Sequence, residues 1–348
     1  MPTIQDVAKK AGVSVATVSR VINQNPAVSD ITYKNVMQAI DELDYRPNLL
    51  GRNLRRTENR MILVLLPSIS NPFYSKIVKG IERVARENGY NILLCNTDSK
   101  IETEKTYLKL LKNRLSEGAI FMAPVIEREE MSDIGKGFPI VQCCEYKEDA
   151  HVSYISINNF SAAYKAVQYL IGLGHKKIGM ISCNNNYIST IQRRAGYEKA
   201  IVDGGLVFDE SLVKIGNYGF KSGIRAGKQF LLKKDNLPTA IFAISDSMAI
   251  GAIRCFKENG LTVPEDISFI GFDDITYAAM YDPMLTTVSQ PQVDLGCEAM
   301  ELLLMQIRGE VNEPRSIFLD HELIIRESTD KCRDLIIDSA AKTHLAST

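Results

Sequence analysis

Residues 3–30 read TIQDVAKKAGVSVATVSRVINQNPAVSD, and their spacing decides the fold of the N-terminal end. Thr3 followed by Asp6 fits a capping box, in which two residues satisfy each other's backbone groups at a helix start. The apolar residues that follow recur on one helical face, and Gly12 permits a tight turn. A second helix is then expected to begin at Ser14. The stretch therefore predicts two short helices joined by a tight turn.

A third helix is predicted over residues 29–43, and three helices with a glycine turn between the first two describe a helix-turn-helix unit. In such a unit the second helix enters the major groove of DNA. Hydroxyl groups suit phosphates, Arg20 suits a guanine edge, and the small apolar Val15 and Ala16 suit a thymine methyl group. A plain three-helix bundle with a solvated polar face is the alternative. The predicted DNA contacts of this unit are Thr3, Ser14, Val15, Ala16, Thr17, Ser19, Arg20 and Asn23.

From residue 61 onward, short β-branched runs alternate with amphipathic stretches, which is typical of βαβ units and a parallel sheet. The predicted strands are 61–66, 90–95, 118–122, 140–144, 177–182, 239–244 and 268–272, with two short ones at 315–319 and 322–326. The predicted helices are 73–88, 103–114, 160–173, 190–203, 219–233, 246–259 and 293–308. The fold class is therefore α/β: a three-helix headpiece followed by two doubly wound lobes that divide near residues 158–160.

Composition and charge restrict the class of protein. The 348 residues are 45% hydrophobic and 24% charged, which is ordinary for a soluble globular chain. The net charge is −1, yet residues 1–60 carry nine Lys and Arg against six acids, so a basic end that meets a polyanion is expected. The seven cysteines form no CxxC pair, and we expect no disulfide framework, metal or cofactor. The sequence shows neither an apolar signal segment nor an 18-residue apolar run, so no membrane contact and a cytoplasmic location are expected.

The quoted block, followed by YRPN at 45–48, resembles the headpiece of the lactose-repressor (LacI/GalR) family, and the resemblance continues to about residue 328. It implies a helix-turn-helix headpiece and a periplasmic-binding-protein-like pair of lobes. The implied segments are the headpiece (1–45), a hinge (46–60), an effector-binding and dimerisation domain (61–328) and a tail (329–348) that we expect to be frayed. Within that domain, lobe one takes residues 61–158 with part of 291–328, and lobe two takes 159–290.

The hinge segment is rich in Arg and Asn. In the family it forms a short helix on operator DNA, and a leucine at the position of Leu54 enters the minor groove. Arginines there can neutralise phosphates while an apolar wedge unstacks a base step. Gly51 stands where the family often has Ala, which costs about 1 kcal/mol in helix propensity. A plain flexible linker is the alternative. The implied hinge contacts are Asn48, Arg52, Leu54 and Arg55.

The carboxyl ends of the predicted strands should hold a ligand, as in other open α/β sheets. The resemblance implies that Phe73 and Tyr74 are aromatic effector contacts, that Ser189 and Arg193 are polar ones and that Tyr218 is a stacking one. It also implies that Asp273 is an acidic contact. Asn71 and Asp246 lie in the same loops and complete the set of effector contacts, although Asp246 equally suits a helix cap. A sugar-like effector is the leading expectation, and a purine-like ligand stays open.

Several positions depart from the family pattern. Cys144 stands where an Asp is usual and is followed by Glu145, Asn158 replaces another common Asp, and Met122 ends its strand without a polar group. Two missing carboxylates should alter which ligand hydroxyls the cleft accepts. Whether Glu145 can substitute is open at this point.

Together these features predict a transcriptional regulator, expected to be a repressor, that binds palindromic operator DNA as a homodimer under control of a small molecule. A dimer is expected because one headpiece reads too few base pairs. A solute-binding protein is the first alternative and is opposed by the basic headpiece. An enzyme is the second, and it is opposed by the lack of HExxH, GxSxG and P-loop patterns.

Overall fold

The computed structural model describes residues 2–22, 25–45, 59–232 and 236–332, and the chain divides into two compact units, Met1–Asn59 and Arg60–Thr348. The predicted contact Asn23 and the hinge contacts Asn48, Arg52, Leu54 and Arg55 lie outside the described residues. Across the described ranges, no helix is long and apolar enough to cross a membrane.

The described residues of the first unit form three helices, α1 (Ile4–Ala11), α2 (Val15–Ile22) and α3 (Asp30–Glu42). Their inward faces meet in a small core that includes Val7, Val18, Val21 and Val36, each at most 1% exposed. Gly12 ends α1 in the left-handed conformation at φ +67°, which glycine adopts without the steric cost of a Cβ. The three predicted helices and the glycine turn are thus confirmed to within a residue.

The second unit holds two parallel-rich sheets covered by helices. Its strands are β1 (Met61–Leu66), β2 (Asn91–Asn96), β3 (Gly118–Phe121), β4 (Ile140–Cys143), β5 (Ser153–Ile157), β6 (Ile178–Cys183), β7 (Val213–Gly216), β8 (Ala240–Ala243), β9 (Ser268–Asp273), β10 (Thr286–Ser289), β11 (Ser316–Leu319) and β12 (Glu322–Ile324). Its helices are α4 (Pro72–Glu87), α5 (Ile101–Lys112), α6 (Arg128–Gly137), α7 (Asn159–Gly172), α8 (Ile188–Asp203), α9 (Phe220–Leu231), α10 (Asp246–Glu258) and α11 (Gln292–Ile307).

Each sheet is the centre of one lobe. The strand order is β11-β5-β4-β3-β1-β2 in lobe one and β12-β10-β9-β8-β6-β7 in lobe two. The chain passes between the lobes after β5, between β10 and α11, and between β11 and β12. In lobe one, α11 packs so closely on α4 that a Cβ on Gly80 would lie 2.1 Å from the carbonyl oxygen of Val293. Helix α11 is thereby fixed to lobe one, whereas β10, which precedes it, belongs to lobe two.

The predicted strands and helices of this unit are confirmed with shifts of one or two residues at most ends. The strands β5, β7 and β10 and the helix α6 were not predicted from the sequence. These elements are short, and β7 lies at a sheet edge, so their apolar periodicity is weak.

The expectation of a frayed tail is wrong for its first four residues, 329–332. The imidazole of His175 donates to the carbonyl of Asp330 at 3.0 Å, and the amide of Cys332 donates to the carbonyl of Leu173 at 3.0 Å. Cys332 is buried. Backbone groups of lobe two that would otherwise lack partners are satisfied by this segment. Residues 333–348 lie outside the described part of the chain.

Candidate functional site

The start of the headpiece carries the predicted capping box. The hydroxyl of Thr3 accepts from the amide of Asp6 at 3.4 Å, and the Asp6 carboxylate accepts from the amide of Thr3 at 2.8 Å. These hydrogen bonds lower the pKa of Asp6, because they favour its ionised form. Thr3, which was predicted as a DNA contact, is thus the N-cap residue of α1.

The predicted recognition helix, α2, presents the expected face. Ser14 precedes the helix, and its hydroxyl accepts from the amide of Thr17 at 3.1 Å. Ser14, Val15, Ala16 and Arg20 are exposed, whereas Thr17 and Ser19 are half-buried. The helix thus holds an arginine, hydroxyls and small apolar groups on the side opposite its buried valines, and this is the mixture that base edges and phosphates require.

In the second unit, a cavity of about 300 Å³ opens at the carboxyl ends of both sheets. Seven of the eight predicted effector contacts line it, and they come from both lobes. The lining residues are Pro67, Ser68, Asn71, Phe73, Tyr74, Asp98, Ser99, Glu145, Tyr187, Ser189, Arg193, Asn217, Tyr218 and Asp273. The structure therefore brings residues more than 200 positions apart to one site.

Tyr218 is fixed in the lobe-two wall by hydroxyl groups. Its phenol oxygen lies 2.6 Å from Thr190 Oγ1 and 3.4 Å from Ser189 Oγ. Because Thr190 donates to Asn185 Oδ1 at 2.7 Å, the phenol is the donor toward Thr190. Tyr218 also adopts φ +62°, a conformation that costs energy for a bulky residue. Strain of this kind is characteristic of binding sites.

Arg193 is buried in the cavity wall, and two of its three guanidinium nitrogen atoms donate hydrogen bonds. Its Nε donates to Asn159 Oδ1 at 2.9 Å, and its Nη1 donates to the carbonyl of Ile244 at 2.6 Å. The same Nη1 lies 3.5 Å from Asp273 Oδ1, and the guanidinium stacks 3.6 Å over the ring of Phe272. The guanidinium is therefore rigidly held.

Asp273 ends β9 with φ +109° and turns its carboxyl group toward the cavity. Gln290 donates to its Oδ1 at 2.7 Å, and the side-chain Nε2 of Gln292 donates to its backbone carbonyl oxygen. Burial raises the pKa of Asp273 from its usual value to about 7, although the Arg193 charge opposes this shift. Since Gln292 begins α11 of lobe one, Asp273 connects the cavity to the crossing between the lobes.

Glu145, which the sequence left open, reaches the cavity from lobe one. Its carboxylate accepts from the amide of Ser189 at 3.1 Å and from the hydroxyl of the same residue. Tyr187, the residue at the N-cap of α8, gives that helix no side-chain hydrogen bond, so Glu145 caps it across the cleft. Burial raises the pKa of Glu145. A second contact across the cleft joins Ser99 Oγ and the Tyr187 hydroxyl at 3.2 Å.

The structure does not bring Asp246 into the cavity. This fully buried carboxylate accepts from the amide of Ile275 at 2.8 Å and from the hydroxyl of Thr287. A Cβ on Gly271 would lie 2.2 Å from Asp246 Oδ1, so the missing side chain leaves the space that the carboxylate fills. The N-cap of α10 is Ser245 instead. Asp246 thus joins α10 to β9 and β10.

The other departures from the family pattern also lie away from the lining. Asn158 is exposed and caps α7, with its Oδ1 accepting from the amide of Ser161 at 2.8 Å. Cys144 and Met122 are buried in the lobe-one core.

Sequence reasoning missed several lining residues, among them Asp98, Ser99, Tyr187 and Asn217. Asp98 and Ser99 lie two and three residues after the end of β2, and Asn217 follows β7. The same rule that found the other contacts, the carboxyl end of each strand, would have found Asp98 and Ser99. Within the described residues, no cluster of three or more His, Cys, Asp or Glu is arranged to hold a metal ion.

Comparison with known proteins agrees with this architecture. The model of the bacterial regulatory proteins of the LacI family matches residues 3–48, and that of a periplasmic binding protein-like domain matches residues 167–329. The transcriptional regulator RegA of Clostridium saccharobutylicum is 39% identical, with 94% of this chain and 99% of RegA covered.

Solved structures of similar proteins share the fold. The lac repressor dimer bound to operator and the anti-inducer ONPF is 29% identical over 94% of this chain and 99% of its own, with a TM-score of 0.84. The transcriptional regulator CelR in complex with cellobiose is 31% identical over 94% of this chain and 100% of its own, with a TM-score of 0.72. Such relatives are transcription regulators and not enzymes. The chain therefore belongs to the LacI family of DNA-binding transcription regulators.

Proposed function

We propose that this chain is a repressor that binds palindromic operator DNA as a homodimer and that a sugar or sugar derivative in the cleft controls operator binding. The observation that carries the proposal is the cavity between the lobes, because aromatic, hydroxyl and carboxyl groups from both lobes converge on it. A ligand that contacts both walls has a different affinity for each arrangement of the lobes, and only such a difference can shift an equilibrium.

The sugar class is supported by the chemistry of the walls. Hydroxyl groups of a sugar donate well to carboxylates such as Asp98 and Asp273, while Tyr74 and Tyr218 offer faces for the apolar side of a ring. A cavity of about 300 Å³ lies at the lower end of the range for small-molecule sites. A similar regulator, CelR, has been solved with cellobiose. A purine-like ligand is the second candidate, because Phe73 and the tyrosines equally suit a flat base.

The homodimer is supported by exposed apolar groups on the second unit. Leu93 and Leu94 on the edge strand β2 are 42% and 37% exposed, and Tyr277 and Met280 are 57% and 73% exposed. Exposed apolar groups of this size favour burial against another chain. A two-fold dimer would place two α2 helices on two half-sites of a palindrome. We also propose a cytoplasmic location, since a regulator must reach chromosomal DNA.

The proposal is tested by selecting bound sequences from a random DNA library with the full chain. We expect the enriched sequences to share a two-fold symmetric site, and we expect sedimentation to give a dimer on that site. At least one neutral mono- or disaccharide should change the affinity of the chain for the selected site. A symmetric site that no sugar affects would contradict the sugar class, and enrichment of no common site would contradict operator binding itself.

A further inference from the structure

We propose that a second cavity, in lobe one and away from the cleft, binds an uncharged planar heterocycle such as a nucleobase, whose edge carries both hydrogen-bond donors and acceptors. We call it the α6 cavity, because the end of α6 forms one of its walls. The inference goes beyond the proposed function, since it concerns a separate site. The position of the cavity, its polar groups and its apolar walls carry the inference.

The α6 cavity lies at the amino ends of three neighbouring strands, β4, β5 and β11. Its lining includes Ile140 and Ser153, the first residues of β4 and β5, and Pro314, which precedes β11. Because these strands are parallel, their amino ends lie at the opposite edge of the sheet from the cleft. The volume is about 530 Å³, against about 300 Å³ for the cleft, and small-molecule sites commonly have such volumes. The two sites are therefore separate.

Two glycines open this space. Gly135 and Gly137 belong to the last turn of α6. A Cβ on Gly135 would lie 2.7 Å from Val152 Cγ2, so the missing side chain lets α6 approach the start of β5. A Cβ on Gly137 would meet no described atom within 4 Å, so this residue borders open space. The shape of the cavity thus follows from the sequence of α6.

The buried polar group of the lining is Ser153, which is 2% exposed. Its hydroxyl oxygen accepts from Gln306 Nε2 at 3.0 Å and from the amide of Arg315 at 3.1 Å. A hydroxyl group has two acceptor lone pairs and one donor hydrogen. Both lone pairs are therefore used, whereas no described residue accepts the hydrogen. That hydrogen is available to a carbonyl group or ring nitrogen of a ligand.

Three further polar side chains border the cavity. Within the described residues, the side chains of His151, Asn312 and Glu313 make no hydrogen bond or ion pair, and all three are exposed. They offer imidazole and amide donors together with amide and carboxylate acceptors. Lys136, which also lines the cavity, pairs with Asp133 at 2.9 Å. With Lys136 positive, Glu313 negative and His151 neutral, the lining has no net formal charge, and this favours an uncharged ligand.

The walls of the cavity are apolar and include flat rings. Phe138, Pro139 and Pro314 line it together with Val152. A nucleobase is apolar on its two faces and polar at its edge, so its faces suit these walls while its edge suits the hydroxyl and amide groups. The Asn312 amide, which has both a donor and an acceptor, can pair with such an edge through both atoms. A sugar has hydroxyl groups around its whole ring, and apolar walls would leave some of them without partners.

The first test measures binding of soluble bases to the full chain by ligand-observed NMR titration. The bases are uracil, cytosine and adenine. The matched ligand control is 1,3-dimethyluracil, which keeps the ring and both carbonyl groups of uracil but lacks both N–H donors. We expect at least one base to bind with a Kd of about 1 mM or lower, and we expect the methylated ring to bind at least about 10-fold more weakly than uracil. Failure of all three bases to bind would overturn the inference, as would equal binding of the two uracils.

The second test assigns the site with Gly137→Trp, whose side chain would fill the cavity. The matched control is Gly172→Trp, because Gly172 ends α7 in lobe two as Gly137 ends α6, and its Cβ would likewise meet no described atom within 4 Å. We expect base binding to weaken at least about 10-fold in Gly137→Trp and to stay unchanged in Gly172→Trp, with the wild-type midpoint of thermal unfolding in both. Full base binding in Gly137→Trp would place the base elsewhere, for example in the cleft, and would overturn the inference.

A milder variant serves if the tryptophan unfolds lobe one. Asn312→Ala removes an exposed amide that has no partner within the described residues, so folding should not change. We expect base affinity to fall about 10-fold, because the edge of the base loses two hydrogen bonds. Unchanged base affinity in Asn312→Ala would contradict the proposed recognition.

Discussion

The headpiece and the cleft use carboxylates in opposite ways. In the headpiece, Asp6 caps α1 and Glu42 pairs with Lys10 at 2.7 Å, both in contact with water, and hydrogen bonds lower their pKa values. In the cleft, Glu145 and Asp273 are buried, and loss of solvent raises their pKa values. The ionised carboxylates of the headpiece therefore stabilise its fold. Ionisation of the buried carboxyl groups of the cleft instead lowers the stability of the second unit. A cost of that kind is expected where groups are held ready for a ligand.

The largest expected effect concerns the buried cation of the cleft. Arg193→Met removes the positive charge that pairs with the Asp273 carboxylate. It also leaves Asn159 Oδ1 and the carbonyl of Ile244 without their hydrogen-bond donor. We expect the free energy of unfolding of the second unit to fall by about 3–5 kcal/mol. Denaturant unfolding followed by tyrosine fluorescence measures it.

The matched control for that change is the next residue. Arg194 pairs with Glu198 and Glu210, and its side chain is 36% exposed. Exposed pairs contribute about 0–1 kcal/mol, so Arg194→Met should have a small effect. If both variants lost the same free energy of unfolding, the buried hydrogen bonds of Arg193 would contribute no more to stability than the exposed ion pairs of Arg194.

The pH dependence should distinguish the two regions. The pKa of Asp273 is about 7 in the folded chain against a usual 3.8, so between these values the folded chain binds the proton more tightly than the unfolded chain. The free energy of unfolding of the second unit should therefore rise as the pH falls from about 7 to about 4, by up to about 1.4 kcal/mol for each pH unit. Unfolding curves at several pH values measure this slope.

The variant Asp273→Asn tests the origin of this pH dependence. We expect a smaller slope in the variant but not a zero slope, because burial also raises the pKa values of Glu145 and Asp246. The headpiece should respond in the opposite sense. It loses stability below about pH 4, where Asp6 and Glu42 take up protons that the unfolded chain binds more readily. An unchanged slope in Asp273→Asn would show that this carboxyl group is not the source.

On DNA, Arg20→Ala should weaken binding to the selected operator by about 1–3 kcal/mol and relax specificity at one base pair. Ligand affinity of the cleft should not change. Lys34→Ala, which removes an exposed charge from α3, is the control and should affect all sequences alike. Fluorescence anisotropy on operator and random duplexes measures both. If Arg20→Ala weakened both duplexes equally, Arg20 would contact phosphate and not a base.

The smallest expected effect is that of the capping box. Thr3→Ala removes the hydroxyl that accepts from the Asp6 amide and should destabilise the headpiece by about 1 kcal/mol. Amide hydrogen exchange in α1 and α3 would report the loss. Thr3→Ser, which keeps the hydroxyl, should restore the stability. A loss of the same size in both variants would mean that the methyl group, and not the cap, matters.

The difference between the regions also explains what the sequence could predict. In the headpiece the decisive partners are three residues apart, as in Thr3 with Asp6 and Ser14 with Thr17, so the pattern itself contains the contact. In the cleft the decisive contact joins Glu145 to Ser189, which are 44 residues apart. The carboxyl-end rule predicted the neighbourhood of most lining residues, but it could not predict which side chains contact each other.

Asp246 illustrates the limit. It follows β8 as Asp273 ends β9, and the pattern treats the two alike. Their directions differ because Gly271 leaves a space beside α10 that the Asp246 carboxylate fills, while the φ of +109° at Asp273 turns that residue toward the cavity. The sequence alone predicts neither the space beside Gly271 nor the φ angle of Asp273, because both depend on how the strands and α10 pack.

Control of the DNA-binding helix by the cleft is measured as the coupling between sugar and operator binding. The operator found by selection would be titrated at several fixed concentrations of the neutral sugar that binds, and the sugar would be titrated with and without operator. We predict that saturating sugar changes operator affinity by about 5- to 150-fold and that operator changes sugar affinity by the same factor. Sugar binding that leaves operator affinity unchanged would contradict the claim that the cleft controls the DNA-binding helix.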